Sequence, residues 1–435
     1  MKRTYIKELK KNIGKEVLIK GWVQTIRAQG LIVFVIIRDV TGLIQCVASE
    51  KKISKELNAV KQESVLEITG FVKEEKQAPE GYEVNIVSFK ILSQPLESLP
   101  IPVVEKNASE TKLSKRLNYR WLDLRKPKNL LIFKVWTTME SAFRSYCIKN
   151  GYTEIHSPKT LITSTESGSE LFEIKYFKRK AYLAQSPQLY KQMAMASGFE
   201  KVFEVGPVFR ANPSLTSRHD TEFTMYDVEL SFIDSVEELL EEEEKMIRSI
   251  FEEIVDKYGH EIKKLYNQNV VIPTIPFPRI SFIEAKEVLK GRGVIGEKEE
   301  DLSPEEEREI GKYIKERYSH EFVFIYDYPT SSRAFYSMRY EKRPRYCKSF
   351  DLLYKGLEIT SGAIREHKYE ALKSQIIEKG SNIQDFKSYL EFFKYGCPPH
   401  GGFAPGPTRI LMQLFELNNV REVTYLYRGV KRLNP

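Results

Sequence analysis

The sequence predicts an α+β protein in two parts: a small five-stranded β-barrel, then a larger domain in which an antiparallel sheet is flanked by helices. Three observations lead there. Residues 1–100 are dense in short runs of strand-forming residues, several alternating apolar and polar, the pattern of half-buried strands. From Leu130 the apolar spacing lengthens to three and four, the period of an amphipathic helix. Between them, residues 93–113 carry Pro95, Pro100 and Pro102, which break any regular element.

The elements follow in order. Residues 16–23 alternate, 31–37 form a continuous β-rich run, and 43–47 follow a turn at Thr41 and Gly42. Runs at 65–72 and 82–87 complete five strands, with a helix over 51–61 after the third. That succession suits a closed barrel of the OB type, which binds single-stranded nucleic acid by base stacking and basic grooves. We take 1–100 as this domain, 101–130 as a hinge and 131–435 as the larger domain, with a helical insertion around 234–320. A helix over 131–149 stops at Asn150 and Gly151, and a strand at 153–156 runs into Pro158. Strands at 202–205 and 224–230 pair antiparallel across a long loop, and further strands lie at 322–326 and 357–360. The acidic helical stretches 234–268 and 299–318 read as solvated faces. A last helix begins near Arg409, after Gly401, Gly402 and Gly406.

Composition narrows the function classes. The chain has 435 residues and no apolar run of membrane-spanning length, since a spanning helix needs about 20 such residues. Its first residues are charged and resemble no signal core. Cys46, Cys147, Cys347 and Cys397 are far apart and lack metal-ligand spacing, which fits a reduced, cytoplasmic setting. The net charge of +8 suits a polyanionic partner without requiring one.

The candidate chemistry is scattered. Arg210 and Arg218 flank the polar loop Ala211, Asn212, Pro213, Ser214, with His219 and Asp220 just beyond. Guanidinium forks grip phosphates and carboxylates bidentately, so the loop suits a nucleoside triphosphate held at two points. Glu166 sits in a loop of small residues, as a lid would, or as an ordinary surface loop would. Gln188 and Lys191 follow a strand exit into a helix, where Lys191 reaches a substrate anion or simply solvent. Glu358 and Ser361 are hard oxygen donors suited to magnesium. Arg365 could clamp a carboxylate, and Arg409 opens a helix where a terminal phosphate is favoured. Singly, each has an equally good structural reading; together they supply what adenylation needs, namely positioning and charge stabilisation. There is no Gly-x-x-x-x-Gly-Lys loop. The Gly291, Gly293, Gly296 match to a dinucleotide fingerprint follows a helical pattern and reads as a helix-ending loop.

These residues resemble a class II aminoacyl-tRNA synthetase of the aspartate/asparagine subgroup over essentially the full length. The likeness rests on the helix and strand ending at Pro158, on Phe209-Arg210 through Glu222-Phe223, and on residues 401–409. The resemblance implies ATP as a substrate, Mg2+ at Glu358 and Ser361, and a homodimer with Pro158 at its interface. It implies that Arg210 meets the amino acid carboxylate and the α-phosphate, and that Arg218 and Arg409 hold the γ-phosphate. It also implies an ATP site extending over Ala211, Asn212, His219, Asp220 and Gly406. Glu166, Gln188, Lys191, Ser361 and Arg365 would contact L-aspartate. In the barrel, Phe34 and Gln45 match positions that stack on and read the middle anticodon base, with Arg27 and Glu83 as further anticodon contacts.

The motif Gln-Ser-Pro-Gln-Leu-Tyr-Lys at 185–191 is similar to the aspartate form, since a charge-assisted pair to a carboxylate exceeds a neutral bond to an amide. The implied acceptors are tRNA(Asp) and, left open, tRNA(Asn): Pro79 points to relaxed tRNA choice and Gln24 to strict, with a slight tilt to relaxed. The chain departs from the family pattern at Asn212, Ile364, the 404–408 segment and Tyr427-Arg428-Gly429. Asn212 replaces a carboxylate, though its amide oxygen still accepts a hydrogen bond. The rival readings are an asparagine–tRNA ligase, a non-catalytic RNA-binding paralogue and a free-standing amino acid-adenylating enzyme.

Overall fold

A computed structural model describes residues 1–104, 111–162, 171–213 and 216–435. The chain divides into two compact units, Met1–Pro127 and Lys128–Pro435.

In the first unit five strands close a barrel in the order β1-β2-β3-β5-β4. They are β1 (Glu16–Gln29), β2 (Ile32–Asp39), β3 (Gly42–Ala48), β4 (Val65–Glu74) and β5 (Tyr82–Ser93), with α1 (Lys51–Asn58) after the third. Alternation builds the core: Val33, Val35 and Ile37 point inward with Val17, Ile19, Ile44, Cys46, Leu66, Ile68 and Val84. Every second residue therefore faces out, which puts Phe34 and Gln45 on the outer surface. The strands at 16–23 and 82–87 run further than the sequence pattern suggests, because their later residues are polar or exposed.

The segment expected as a hinge over 101–130 is structured wherever it is described. It carries α2 (Leu113–Asn118) and α3 (Arg120–Asp123). Ile101, Val103 and Leu122 form a small apolar cluster, and Arg125 bonds Glu63 of the barrel at 3.0 Å. Buried Asp123 binds Arg116 at 3.0 Å and Arg120 at 2.7 Å. These charges pack only because they pair.

In the second unit α4 (Pro127–Lys149) buries Leu131, Ile132, Val135, Met139, Ala142, Phe143 and Cys147. It stops at Gly151, whose φ of +80° strains any residue with a Cβ. Next come β6 (Thr153–Glu154), a three-stranded sheet of β7 (Thr160–Leu161), β8 (Glu173–Tyr176) and β9 (Arg179–Leu183), and α5 (Gln188–Ala196). The remaining strands are β10 (Lys201–Phe209), β11 (Glu222–Ser231), β12 (Arg279–Ser281), β13 (Phe322–Tyr326), β14 (Ser349–Tyr354), β15 (Leu357–Arg365) and β16 (His400–Pro405). The helices are α6 (Val236–Tyr266), α7 (Phe282–Gly291), α8 (Pro304–Tyr318), α9 (Tyr369–Glu378), α10 (Lys387–Phe393) and α11 (Pro407–Leu414).

The main sheet has eight strands in the order β12-β13-β14-β15-β16-β11-β10-β6. It is antiparallel except at its edges, where β12 runs parallel to β13 and β6 to β10. The region 234–320, expected as an inserted helical block, thus also contributes the edge strand β12. The expected hairpin is present: β10 and β11 pair from Lys201 with Leu230 to Phe209 with Glu222. Gly291 and Gly293 lie at and just past the end of α7, as the sequence suggested. Among the described residues no helix is long and apolar enough to cross a membrane.

The acidic stretches correct one expectation. Glu243 and Glu244 in α6, and Glu306 and Glu307 in α8, are buried and not solvated. Glu244 accepts from the Phe277 backbone N–H at 2.9 Å. Glu306 pairs with Lys286 at 2.8 Å, and Glu307 pairs with Arg218. Burial pushes the Glu243 carboxyl up to about 8, against the opposing pull of the neighbouring Thr360 hydroxyl.

Candidate active site

One face of the main sheet carries a cleft of about 390 Å³ between the β10–β11 hairpin, β15, β16 and the start of α11. Arg210, Asn212, Arg218, His219, Asp220, Gln188, Glu358, Ser361, Arg365, Gly406 and Arg409 all line it. Residues separated by up to about two hundred positions in the chain therefore converge on one surface. Ala211 and Lys191 are not on the lining, and Glu166 and Ser214 lie outside the described residues.

The rim is cationic and each cation is held. Arg210, at the end of β10, donates to the Gln185 carbonyl at 3.3 Å and sits 5.5 Å from the Phe223 ring centre. Arg218, in the loop, grips both oxygens of Glu307 at 3.0 and 2.9 Å. Arg409, in the first turn of α11, donates to the Glu358 carbonyl at 2.8 Å and lies 3.3 Å from its carboxylate. Glu307 also accepts from the Glu358 N–H at 3.1 Å. Burial, aided by the charge of Glu358, pushes the Glu307 carboxyl up to about 7. His219 is pushed down to about 4, first by burial and then by the fields of Arg409, Arg218 and Arg210. Its ring is thus neutral at neutral pH and bonds the Thr216 hydroxyl. Asp220 is buried and pushed up to about 7 by that burial.

The floor is a buried ring of opposite charges. Lys191, on α5, pairs with Asp227 at 2.9 Å and Glu229 at 3.3 Å. Arg365 pairs with Glu229 at 3.0 Å and donates to the Gln188 side chain at 3.1 Å and the Gly402 carbonyl at 3.0 Å. Burial opposes ionisation of Glu229, but Arg365 and Lys191 outweigh it and hold the carboxyl low. Lys191 is linked to the cleft through Asp227, which lines it, and through Glu229, which bonds the lining residues Gln188 and Arg365. A lysine this deep cannot stay charged without partners, and they come from the neighbouring strand.

Sequence reading missed Asp227, Glu229, Glu307 and Arg333. The first two had a signal. Met225, Asp227 and Glu229 share one face of β11, while Tyr226, Val228 and Leu230 on the other face enter the core. Two acids at alternate positions of an otherwise apolar strand mark a polar surface. Glu307 had none, being one of a run of glutamates 89 residues from Arg218. Arg333 follows a short turn after β13; it binds Asp351 at 2.8 and 2.5 Å and the Ser361 hydroxyl at 3.0 Å.

The barrel gathers its own candidates. Arg27 pairs in register with Phe34 and places its guanidinium 5.3 Å from that ring centre. Gln45 donates to Glu83 at 2.9 Å. Gln24 lies at a register shift in β1 and accepts from Arg38 at 3.3 Å. Pro79 is exposed in the turn between β4 and β5, and Pro158 is exposed after β6.

This architecture has known relatives. Residues 112–428 match the family of class II tRNA synthetases (D, K and N), and residues 17–92 match the OB-fold nucleic acid binding domain. The chain belongs to the class II tRNA synthetases of that group. It is 42% identical over 426 residues to the aspartate–tRNA(Asp) ligase of Pyrococcus furiosus, covering 97% of each. It is 41% identical over 426 residues to the aspartate–tRNA(Asp/Asn) ligase of Methanopyrus kandleri, covering 97% of this chain and 96% of that one. Among solved structures it resembles the asparaginyl-tRNA synthetase from Pyrococcus horikoshii complexed with asparaginyl-adenylate, at a TM-score of 0.92 and 31% identity over all of both chains.

Proposed function

We infer that the chain ligates L-aspartate to tRNA(Asp), and to tRNA(Asn) as a second acceptor, by way of an aspartyl-adenylate. The observation that carries this reading is the cleft with three rim arginines over a charge-paired floor, in a chain about 40% identical over nearly its whole length to aspartate ligases. ATP is the co-substrate of this family.

In this reading Arg210 contacts the aspartate α-carboxylate and the α-phosphate, while Arg218 and Arg409 exchange their glutamate partners for the γ-phosphate end. An aspartate carboxylate oxygen attacks the α-phosphorus, and pyrophosphate leaves. The terminal ribose hydroxyl of tRNA then attacks the adenylate carbonyl, and AMP leaves. No side chain acts as a nucleophile; the site positions reactants and stabilises charge. Magnesium fits the donors present, since Glu358 offers a carboxylate and Ser361 a hydroxyl at the same strand. When bound, it would offset phosphate charge. Arg365 beside Gln188 is placed to receive the side-chain carboxylate of aspartate, where an amide would lose a charge-assisted bond. A homodimer joined around Pro158 completes the proposal.

ATP–pyrophosphate exchange tests the amino acid: aspartate should support it and asparagine should not, and the reverse would end this reading. Acceptance of tRNA(Asn) rests on Pro79 and is tested by charging both purified tRNAs with aspartate side by side. Sedimentation of the full chain tests the dimer.

A further inference from the structure

Arg333 has no role in the reaction as laid out above, yet it occupies a strategic point. Both Asp351 oxygens accept its hydrogen bonds, at 2.8 and 2.5 Å, and the same nitrogen that binds Asp351 Oδ1 also binds the Ser361 hydroxyl at 3.0 Å. Glu358 is close enough to add to the field at this guanidinium. The guanidinium carbon stands 3.7 Å from the centre of the Tyr328 ring, and Tyr328 is itself buried, so the group rests against a fixed wall. Its Nε is buried without a hydrogen-bond partner, so the bonds that hold the head all go to Asp351 and Ser361. A carboxylate, a hydroxyl and a second carboxylate nearby are the donors a hard divalent cation takes. A guanidinium and a metal ion seek the same oxygen lone pairs, but one donates protons to them and the other accepts electron density from them. Both cannot saturate the same oxygens at once.

We propose that Arg333 is a tethered counter-cation, holding the oxygens of Asp351 and Ser361 in the nucleotide-free enzyme and competing there with the divalent ion. The inference rests on the magnesium reading given above and adds a residue that sets the ion's affinity. It explains how the buried Asp351 carboxylate beside Ser361 stays neutralised: the protein supplies its own positive charge on a short loop. Metal affinity is then the difference between two cations at one place, so weakening the resident one strengthens the visitor.

The test is Mn2+ binding to the full-length chain without nucleotide, read from the electron paramagnetic resonance signal of the free ion. Arg333→Met should bind Mn2+ roughly tenfold more tightly or better, because a unit charge a few ångströms away is removed. The Mg2+ concentration for half-maximal ATP–pyrophosphate exchange should fall in parallel. Arg333→Gln gives the same reading should the methionine variant fail to fold, with circular dichroism as the check. Unchanged or weaker Mn2+ binding in a folded variant overturns the proposal. Glu358→Gln and Asp351→Asn separate the two ideas. If neither weakens Mn2+ binding, the metal site itself is misplaced and both readings fall. If they weaken it while Arg333→Met changes nothing, only the role of Arg333 is lost.

Discussion

The rim and the floor of the cleft use the same device, a cation held by a carboxylate, with opposite consequences. At the floor the Lys191 side chain is 1% exposed and Glu229 is 0% exposed. At the rim Arg218 is 20% exposed over a Glu307 that is 6% exposed, while Arg409 and Glu358 are 22% and 35% exposed. A pair sealed from water is locked, because separating it strands a charge in a low-dielectric interior. A pair open to water, as Arg409 and Glu358 are, can trade one anion for another at small cost. The floor is therefore locked, and Arg409 with Glu358 is the readily exchangeable contact of the rim.

Substitutions can break this contrast. Glu229→Leu should destabilise the fold by about 3–5 kcal/mol, since it leaves Arg365 and Lys191 short of negative charge; urea unfolding measures it, and a loss under 1 kcal/mol would mean the floor is not locked. Arg409→Ala should do the reverse, leaving the urea midpoint nearly unchanged while exchange falls about 10²–10³-fold, the usual cost of one charge-stabilising donor. Gln45→Ala, in the barrel, should leave exchange intact and lower tRNA charging about tenfold in kcat/KM, the order of one lost base contact. A drop in exchange there would argue against a division of labour between the units.

The smallest effect concerns pH. The Glu307 carboxyl is raised from an ordinary value of 4.5 to about 7 in the folded chain. Its contribution to stability is thus complete below pH 4.5 and is lost as pH rises towards 7. Glu307→Gln should remove that part of the slope, measurable as a flatter dependence of the urea midpoint between those limits.

The sequence made much of this legible, and the reason differs by region. Barrel strands announced themselves through alternation around Val33, Val35 and Ile37, because one face is core and the other is water. The rim residues Arg210, Arg218, Glu358 and Arg409 were legible because each sits beside a turn or helix start that has no other use for a charge. Lys191 was legible as important but not in its setting: its partners Asp227 and Glu229 are more than thirty residues away, and only strand pairing next to α5 brings them together. Glu307 and Arg333 were invisible for the same reason, since each gains its meaning from partners distant in the chain. The buried glutamates of α6 and α8 show the limit of charge as a guide to exposure, because a run of like residues hides which member turns inward.

The sharing of Glu229 between Lys191 and Arg365 has a consequence for how such a site changes over generations. One carboxylate serves two cations, and a Cβ at Gly402 would collide with it, so a change at Glu229 is felt across the floor. Losing Glu229 leaves both Lys191 and Arg365 short of a partner, so that position changes safely only together with one of them.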